Sequence, residues 1–299
     1  MASIEPMKLK ALLGDYPVTE RVKSGAITSP LVELDFVDTN NPVSYFKRVV
    51  RDLEFDVAEL ALVTYLIAKA HGRPLVLLPV VLFSRYQHPY LVYNAERGVV
   101  RPEDIEGRRV AIRSYSVTTS TWIRGMLAAD HGVDLSRVRW LTFEEPHVAE
   151  FKDPPNVERA PADRNMTEML LAGEVDAAIV GDIANLDPRL KTVFPDPRAA
   201  AQAWRERHGA IQINHMVVVS QKLSRANPEI VREVYRMLSE SRRAAPATGP
   251  EGWDPSPCGV EANRRNLEVA VDCVYRQGLV PRRYAVDELF DDVTRALNG

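Results

Sequence analysis

Two histidines lie where a side chain could exchange protons with a bound molecule. His88 follows the apolar run at residues 75–83, which is typical of a buried strand, and His215 lies beside Asn214 in the apolar segment 211–219. Imidazole takes up and releases a proton near neutral pH, so both residues are candidates for a general acid. The alternative for His88 is a structural hydrogen bond to the backbone, and both roles stay open at this point.

A hydroxyl-rich segment, residues 107–125, has the composition of an anion-binding site. It predicts a charged turn, a short strand at 110–112, a loop rich in Ser and Thr, and a helix that runs to about His131 and ends at Gly132. Hydroxyls and backbone N–H groups at a helix N-terminus bind anions. Plain N-capping of the helix by Ser and Thr is the alternative.

Arginine could hold a carboxylate in this segment with two parallel hydrogen bonds. Arg124 is the first candidate, and a salt bridge to a nearby acidic residue is its alternative. Arg85 and Arg113 are rivals for the same role. Neutral donors beside them would be Ser114, Thr118 and Thr119.

Acidic and phenolic side chains occur at the ends of predicted elements. Glu59 lies in apolar surroundings at the predicted start of a helix, where it either favours the helix dipole or pairs with an arginine or a phenol. Asp15 and Tyr16 follow the predicted strand 9–13, and Asp182 follows a strand in the second half of the chain. Each could contact a ligand.

The composition excludes several classes of function. A net charge of −3 gives no basic surface for nucleic acid, and Cys258 and Cys273 show no zinc spacing. No dinucleotide or phosphate-binding glycine loop, zinc-protease motif or nucleophile elbow occurs, so we expect neither a metal nor another cofactor. The first residues lack a signal peptide and no apolar run has membrane length, which predicts a cytoplasmic protein without a membrane partner.

The elements that must position these residues alternate between strands and helices. Such alternation implies parallel sheets with ligands at the carboxyl ends of the strands. Residues 55–60 are expected to turn from strand to helix, and the proline-rich residues 144–161 to form a surface loop. Further strands are predicted at 31–37, 91–93, 139–142 and within 173–180, and helices at 42–53, 166–171, 228–241, 259–277 and 286–297.

Two α/β lobes are expected, because residues 53–58 and 173–178 share one order of acidic, apolar and small residues. We predict lobe 1 at residues 1–93 and 216–299, with the C-terminal helices packed on it, and lobe 2 at 94–215. Two crossovers between the lobes would form a hinge. A ligand cleft would then have His88 and His215 on its floor.

Several stretches resemble the 4,5-dihydroxyphthalate decarboxylase family. They are FDVAEL (residues 55–60), GRRVAI (107–112), WIRG (122–125), GVEANR (259–264), QGLVPRR (277–283) and VDELF (286–290). The resemblance covers nearly the whole chain in order and implies the type II periplasmic-binding-protein-like fold. Residues 180–185 and 213–218 look more like relatives that are labelled as substrate-binding proteins.

The resemblance implies cofactor-free decarboxylation of a dihydroxylated aromatic dicarboxylate, such as 4,5-dihydroxyphthalate to protocatechuate. His88 or His215 would protonate the ring carbon that loses carbon dioxide, and Arg124 would hold the remaining carboxylate. The alternative is a non-catalytic binding protein for a small aromatic or carboxylate ligand. The oligomeric state, including a homo-oligomer, is left open.

Overall fold

The computed structural model describes residues 5–246 and 252–298 as alternating strands and helices. The strands are β1 (Met7–Leu12), β2 (Val32–Phe36), β3 (Val57–Ala61), β4 (Leu75–Ser84), β5 (Leu91–Asn94), β6 (Arg109–Ile112), β7 (Arg139–Thr142), β8 (Val157–Arg159), β9 (Ala177–Ile179), β10 (Leu190–Thr192) and β11 (Ile213–Ser220). The α-helices are α1 (Glu20–Lys23), α2 (Leu62–Ala70), α3 (Thr118–His131), α4 (Met166–Ala172), α5 (Pro197–His208), α6 (Gln221–Ala226), α7 (Pro228–Ala244), α8 (Val260–Arg276) and α9 (Asp292–Arg295). A mixed α/β fold is thereby confirmed.

The contacts divide the chain into two units. The first unit takes in the chain up to Arg85, Ile213–Tyr275 and the chain from Val280, and the second takes in Tyr86–Gln212 and Arg276–Leu279. The predicted lobe boundaries were at 93/94 and 215/216. The difference arises because β5 pairs with strands of the second unit, whereas all of β11 pairs with strands of the first.

The first unit has a five-stranded sheet in the order β2-β1-β3-β11-β4. Strands β1, β2 and β3 are parallel, but β11 runs antiparallel to both β3 and β4. Helix α7 covers this sheet with apolar residues at helical spacing, among them Val231, Val234 and Leu238. They pack with strand residues such as Leu9 and Val217.

The second unit has a six-stranded sheet in the order β10-β5-β9-β6-β7-β8. Its core includes Ala111, Leu141, Leu170 and Ala178. Strand β5 runs antiparallel to both of its neighbours, β9 and β10. The pairs β6–β7, β6–β9 and β7–β8 are parallel. The prediction of purely parallel sheets is therefore wrong for both units.

Four local predictions need correction. Residues 42–53 form a 3-10 turn and a π turn (Arg48–Asp52) that buries the adjacent Val49 and Val50. The C-terminal segment 286–297 is interrupted, because Asp291 accepts hydrogen bonds from two backbone N–H groups and starts α9 anew. Residues 144–161 include β8. Strand β3 extends to Ala61, so Glu59 lies inside a strand and not at a helix start.

The strand–loop–helix prediction around residues 107–125 is confirmed. Strand β6 leads through the hydroxyl loop into α3, which ends at His131, and Gly132 adopts the left-handed conformation with φ of 66°. Among the described residues, no helix combines the length and the apolar character that a membrane span requires.

Candidate active site

The first unit brings Glu59 and His215 together through strand register. Strands β3 and β11 are antiparallel, with Glu59 opposite Val217 and His215 opposite Ala61. Because side chains alternate along a strand, Glu59 and His215 point to the same face as diagonal neighbours. His215 Nδ1 lies 2.6 Å from Glu59 Oε1. An ionised carboxylate only accepts hydrogen bonds, so Nδ1 carries the proton and donates it.

Glu59 is a fully buried carboxylate that accepts hydrogen bonds from three donors. Its side chain is 0% exposed. Tyr16 Oη donates to Oε1 at 2.6 Å, and the backbone N–H of Gly14 donates to Oε2 at 2.9 Å. A buried charge is tolerated only when it is paired and hydrogen-bonded. We call Gly14, Tyr16, Glu59 and His215 the Glu59 cluster.

The loop after β1 shapes two members of this cluster. Thr19 closes the loop, since its hydroxyl donates to the Gly14 carbonyl at 2.7 Å and accepts from the Tyr16 N–H at 3.0 Å. A Cβ at position 14 would lie 2.7 Å from Tyr16 Cε2 and 2.9 Å from Glu59 Oε2. Gly14 is thus required for the close approach, a role that no sequence pattern indicated.

Burial and the negative charge of Glu59 act together on Tyr16. They raise the pKa of the Tyr16 phenol well above its usual value; burial is the larger cause, followed by the charge and hydrogen bond of Glu59 and the charge of Asp15. Tyr16 therefore stays a neutral phenol at all ordinary pH values and acts as a hydrogen-bond donor.

Aromatic rings surround the imidazole of His215. The ring of Phe46 meets it edge-on with centroids 5.2 Å apart, and Phe83 lies at 5.5 Å. Phe83 also stacks on Tyr16, with centroids 6.1 Å apart and planes inclined by 18°. The Arg85 guanidinium lies 5.5 Å from the Phe83 ring centroid. The His215 side chain keeps 13% of its surface exposed, so a small molecule could contact it.

His88 has different surroundings, in the second unit. It begins a 3-10 turn (His88–Tyr90), is 2% exposed, and packs edge-on against Phe194 at 5.0 Å. Its Nδ1 is buried without a hydrogen-bond partner among the described residues. Burial, with a smaller contribution from His131, lowers the pKa of His88 to about 4. His88 is consequently neutral at pH 7.

Arg124 belongs to the interior of the second unit. It is 0% exposed, and its guanidinium lies 3.7 Å from the Tyr115 ring centroid and 5.7 Å from that of Trp140. Its Nε donates to Gln277 Oε1 at 2.9 Å, and Nη2 to Thr121 Oγ1 at 3.4 Å. These contacts are those of a core arginine stacked on aromatic rings. Its role in holding a carboxylate stays a prediction.

The hydroxyl loop before α3 does not cap the helix in the expected way. The residue at the N-cap is Val117, whose side chain forms no cap hydrogen bond. Ser114 is 1% exposed, and its Oγ has no hydrogen-bond partner in the part of the chain that the structure describes. Thr118 is buried and Thr119 half-buried. Arg113 is half-buried, with its Nε 3.8 Å from a Glu144 carboxylate oxygen.

The remaining predicted site residues lie outside the Glu59 cluster. Asp15 is exposed and forms an ion pair with Lys23. Asp182 is exposed and accepts a hydrogen bond from the Ala184 N–H at 3.0 Å. Asn214 is buried next to His215 in β11. Within residues 5–246 and 252–298, no group of three or more His, Cys, Asp or Glu side chains could hold a metal ion.

Comparison with known sequences points to decarboxylases. No family model matches the chain. The 4,5-dihydroxyphthalate decarboxylase of Comamonas testosteroni is 29% identical over 230 residues, which are 72% of this chain and 70% of that protein. The protein of the same name from Pseudomonas putida is 29% identical over 216 residues, which are 67% of this chain and 84% of that protein. The chain is thus moderately similar to two proteins named as decarboxylases.

Comparison with solved structures shows the fold. The periplasmic aliphatic sulphonate binding protein SsuA of Escherichia coli is similar with a TM-score of 0.59 and 14% identity, covering 96% of this chain and 98% of that one. The desulfurization enzyme DSZB is similar with a TM-score of 0.50 and 14% identity, covering 96% and 97%. The two-lobed periplasmic-binding-protein fold is confirmed. Since a binding protein and an enzyme both have it, the fold alone does not decide the function.

Proposed function

We propose that this protein decarboxylates a hydroxylated aromatic carboxylic acid, with 4,5-dihydroxyphthalate as the first candidate substrate and protocatechuate as its product. The observation that carries the proposal is the hydrogen bond of 2.6 Å between His215 Nδ1 and the buried carboxylate of Glu59. A histidine oriented by a buried carboxylate is an arrangement suited to moving protons. The similarity to two proteins named as decarboxylases supports the choice of reaction.

The reaction needs one proton at one carbon atom. The phenol para to the departing carboxylate gives its proton to water, and the resulting phenolate moves electron density to the ring carbon that bears this carboxylate. The imidazolium Nε2–H bond of His215 breaks, its electron pair stays on nitrogen, and a C–H bond forms. The C–C bond to the carboxylate then breaks and carbon dioxide leaves, while the electron pair of that bond restores the aromatic ring as a phenolate, which regains its proton from water. No oxidation or reduction occurs, so this chemistry requires no redox cofactor.

Glu59 prepares His215 for this step. Because Glu59 accepts from Nδ1, the second nitrogen, Nε2, is the one that can face a substrate. A carboxylate beside the imidazole also stabilises the positive charge that the proton donor carries. After each turnover the neutral imidazole would regain its proton from water.

Two features of the first unit favour an aromatic dicarboxylate. The rings of Tyr16 and Phe83 next to His215 can pack against the flat substrate ring. Arg85, with its guanidinium over the Phe83 ring, could hold the carboxylate that is retained. Arg85 is therefore preferred to Arg124, while Arg113, Ser114, Thr118 and Thr119 stay predicted contributors.

A binding function without catalysis is the second candidate. It is supported by the periplasmic binding protein SsuA, which shares the fold. The same rings and Arg85 would then recognise a small aromatic acid, and the Glu59–His215 pair would act as a hydrogen-bonding group.

Turnover with matched ligands discriminates the two candidates. The full chain is incubated with 4,5-dihydroxyphthalate, and carbon dioxide and protocatechuate are measured over time. Phthalate, which lacks the electron-donating hydroxyls, serves as the control that should bind without reacting. Binding of both acids with no carbon dioxide release would reject the decarboxylase proposal in favour of the binding protein.

A further inference from the structure

Tyr16 and His215 donate to the same oxygen of Glu59. Tyr16 Oη and His215 Nδ1 each lie 2.6 Å from Oε1, while the Gly14 N–H takes Oε2 at 2.9 Å. A carboxylate held by one donor can rotate about its terminal torsion, which has a broad and shallow energy profile. Three donors, two from the loop after β1 and one from β11, instead define the plane of the carboxylate.

We propose that Tyr16 is a positioning residue that keeps the Glu59 carboxylate in the orientation His215 needs, and that the missing Cβ of Gly14 makes this contact possible. The inference rests on the proposed function for its catalytic consequence, but its structural consequence is independent of any substrate. Tyr16 would act through Glu59 and not by transferring a proton itself, since it stays a neutral phenol.

The packing around Tyr16 supports a fixed hydroxyl. Its ring stacks on Phe83, and its own N–H is held by Thr19 Oγ1. A Cβ at position 14 would lie 2.7 Å from Tyr16 Cε2, closer than real Cβ atoms are found to other atoms, and 3.1 Å from Cζ, which is tighter than most real Cβ contacts. Because the same Cβ would lie 2.9 Å from Glu59 Oε2, an added methyl group must displace the phenol ring, the Glu59 carboxylate or both.

Tyr16→Phe tests the inference, because this variant keeps the ring and removes only the hydroxyl. Tyr65→Phe is the matched control: Tyr65 is a buried tyrosine of the same unit whose hydroxyl donates to the Leu289 carbonyl, outside the Glu59 cluster. With 4,5-dihydroxyphthalate, we expect kcat of Tyr16→Phe to fall about tenfold with KM within about twofold, as for a lost hydrogen bond to a charged group. Tyr65→Phe should keep both values.

A second readout does not depend on turnover. Nitrogen-15 NMR of the histidine rings, with His215→Gln used for assignment, detects the Nδ1 proton that is shared with Glu59. We expect this signal in the wild-type protein and in Tyr65→Phe, and its loss or broadening in Tyr16→Phe. Gly14→Ala should reproduce the Tyr16→Phe result in both measurements, with a larger fall in kcat.

The two proposals fail in different ways. A wild-type protein that releases no carbon dioxide overturns the decarboxylase proposal, and the NMR comparison then still decides the role of Tyr16. An unchanged His215 signal in Tyr16→Phe overturns the positioning role whatever the activity. A kcat equal to that of Tyr65→Phe in an active enzyme overturns it as well.

Discussion

His215 and His88 are the same residue type in two units of one chain, but their partners differ. His215 donates to a buried carboxylate and keeps part of its surface exposed. His88 is buried among aromatic rings, its Nδ1 has no hydrogen-bond partner in the described residues, and burial lowers its pKa to about 4. A charged neighbour makes an imidazole useful as a proton donor, whereas burial without one keeps it neutral.

This comparison favours His215 over His88 for the proposed acid role, for which the sequence left two candidates. Proton donation at pH 7 requires an imidazole that is protonated for a useful fraction of the time. His88 does not meet this condition, since its pKa of about 4 leaves it neutral at that pH.

Replacing the donor should have the largest effect. In His215→Gln, we expect kcat to fall by about a thousandfold, within the range that general acid catalysis contributes. Ligand binding, measured by calorimetry with 4,5-dihydroxyphthalate, should weaken far less. His88→Gln is the matched control and should keep kcat within about threefold, because a neutral buried imidazole supplies no proton. Equal losses in the two variants would contradict the contrast between the histidines.

Removal of the negative charge of Glu59 should have the second-largest effect on kcat. Glu59→Gln keeps the shape of the side chain but no longer stabilises a protonated imidazole, so we expect kcat to fall by about a hundredfold. Glu33→Gln, at an exposed glutamate of β2 in the same unit, is the control and should leave kcat unchanged. The measurement is carbon dioxide release at saturating substrate. An unaffected Glu59→Gln variant would show that His215 works without the carboxylate.

Local patterns in the sequence predicted much of the secondary structure. The apolar run at residues 75–83 became β4, and the order of apolar residues, hydroxyls and Gly132 predicted β6, the loop and α3 with its left-handed end. These features depend on neighbours within one element, where residue type limits the backbone.

The candidate site depends on contacts that no local pattern contains. Glu59 and His215 are 156 positions apart, and their contact follows from the register of two antiparallel strands. The alternation of elements predicted parallel sheets and a helix start at Glu59, so both residues were candidates but were not paired. Gly14 was missed entirely, because its requirement arises from the distance between a loop and a neighbouring strand.

The two units also differ in the surroundings of their candidate carboxylate-binding arginines, Arg85 and Arg124. Arg124 is fully buried against Tyr115, whereas Arg85 is half-buried beside the Phe83 ring of the first unit. In Arg85→Met we expect KM for 4,5-dihydroxyphthalate to rise about tenfold or more, as for loss of a charge-assisted contact. In Arg124→Met we expect KM within about twofold but a free energy of unfolding lower by about 2 kcal/mol, because Gln277 loses a buried hydrogen-bond donor.

The readouts of the arginine variants separate binding from folding. Urea unfolding is followed by tryptophan fluorescence, since Trp122, Trp140 and Trp204 all lie in the second unit with Arg124. A rise in KM for Arg124→Met without a loss of stability would support the carboxylate-holding role that the sequence predicted for Arg124.

The smallest effect on activity should come from His88, which instead makes stability depend on pH. Its pKa is lowered from 6.5 to about 4 in the folded protein, so between these values the unfolded chain binds the additional proton. The free energy of unfolding then increases with pH in this window. The contribution of the neutral His88, on the order of 3 kcal/mol, is lost as pH falls from 6.5 to 4.

His88→Leu, which cannot titrate, should lose less stability between pH 7 and pH 4 than the wild type in urea unfolding followed by tryptophan fluorescence. The exposed His71 provides the control His71→Leu, which should keep the wild-type dependence. Equal losses of stability in His88→Leu and the wild type would show that His88 is not held neutral by burial in the folded protein.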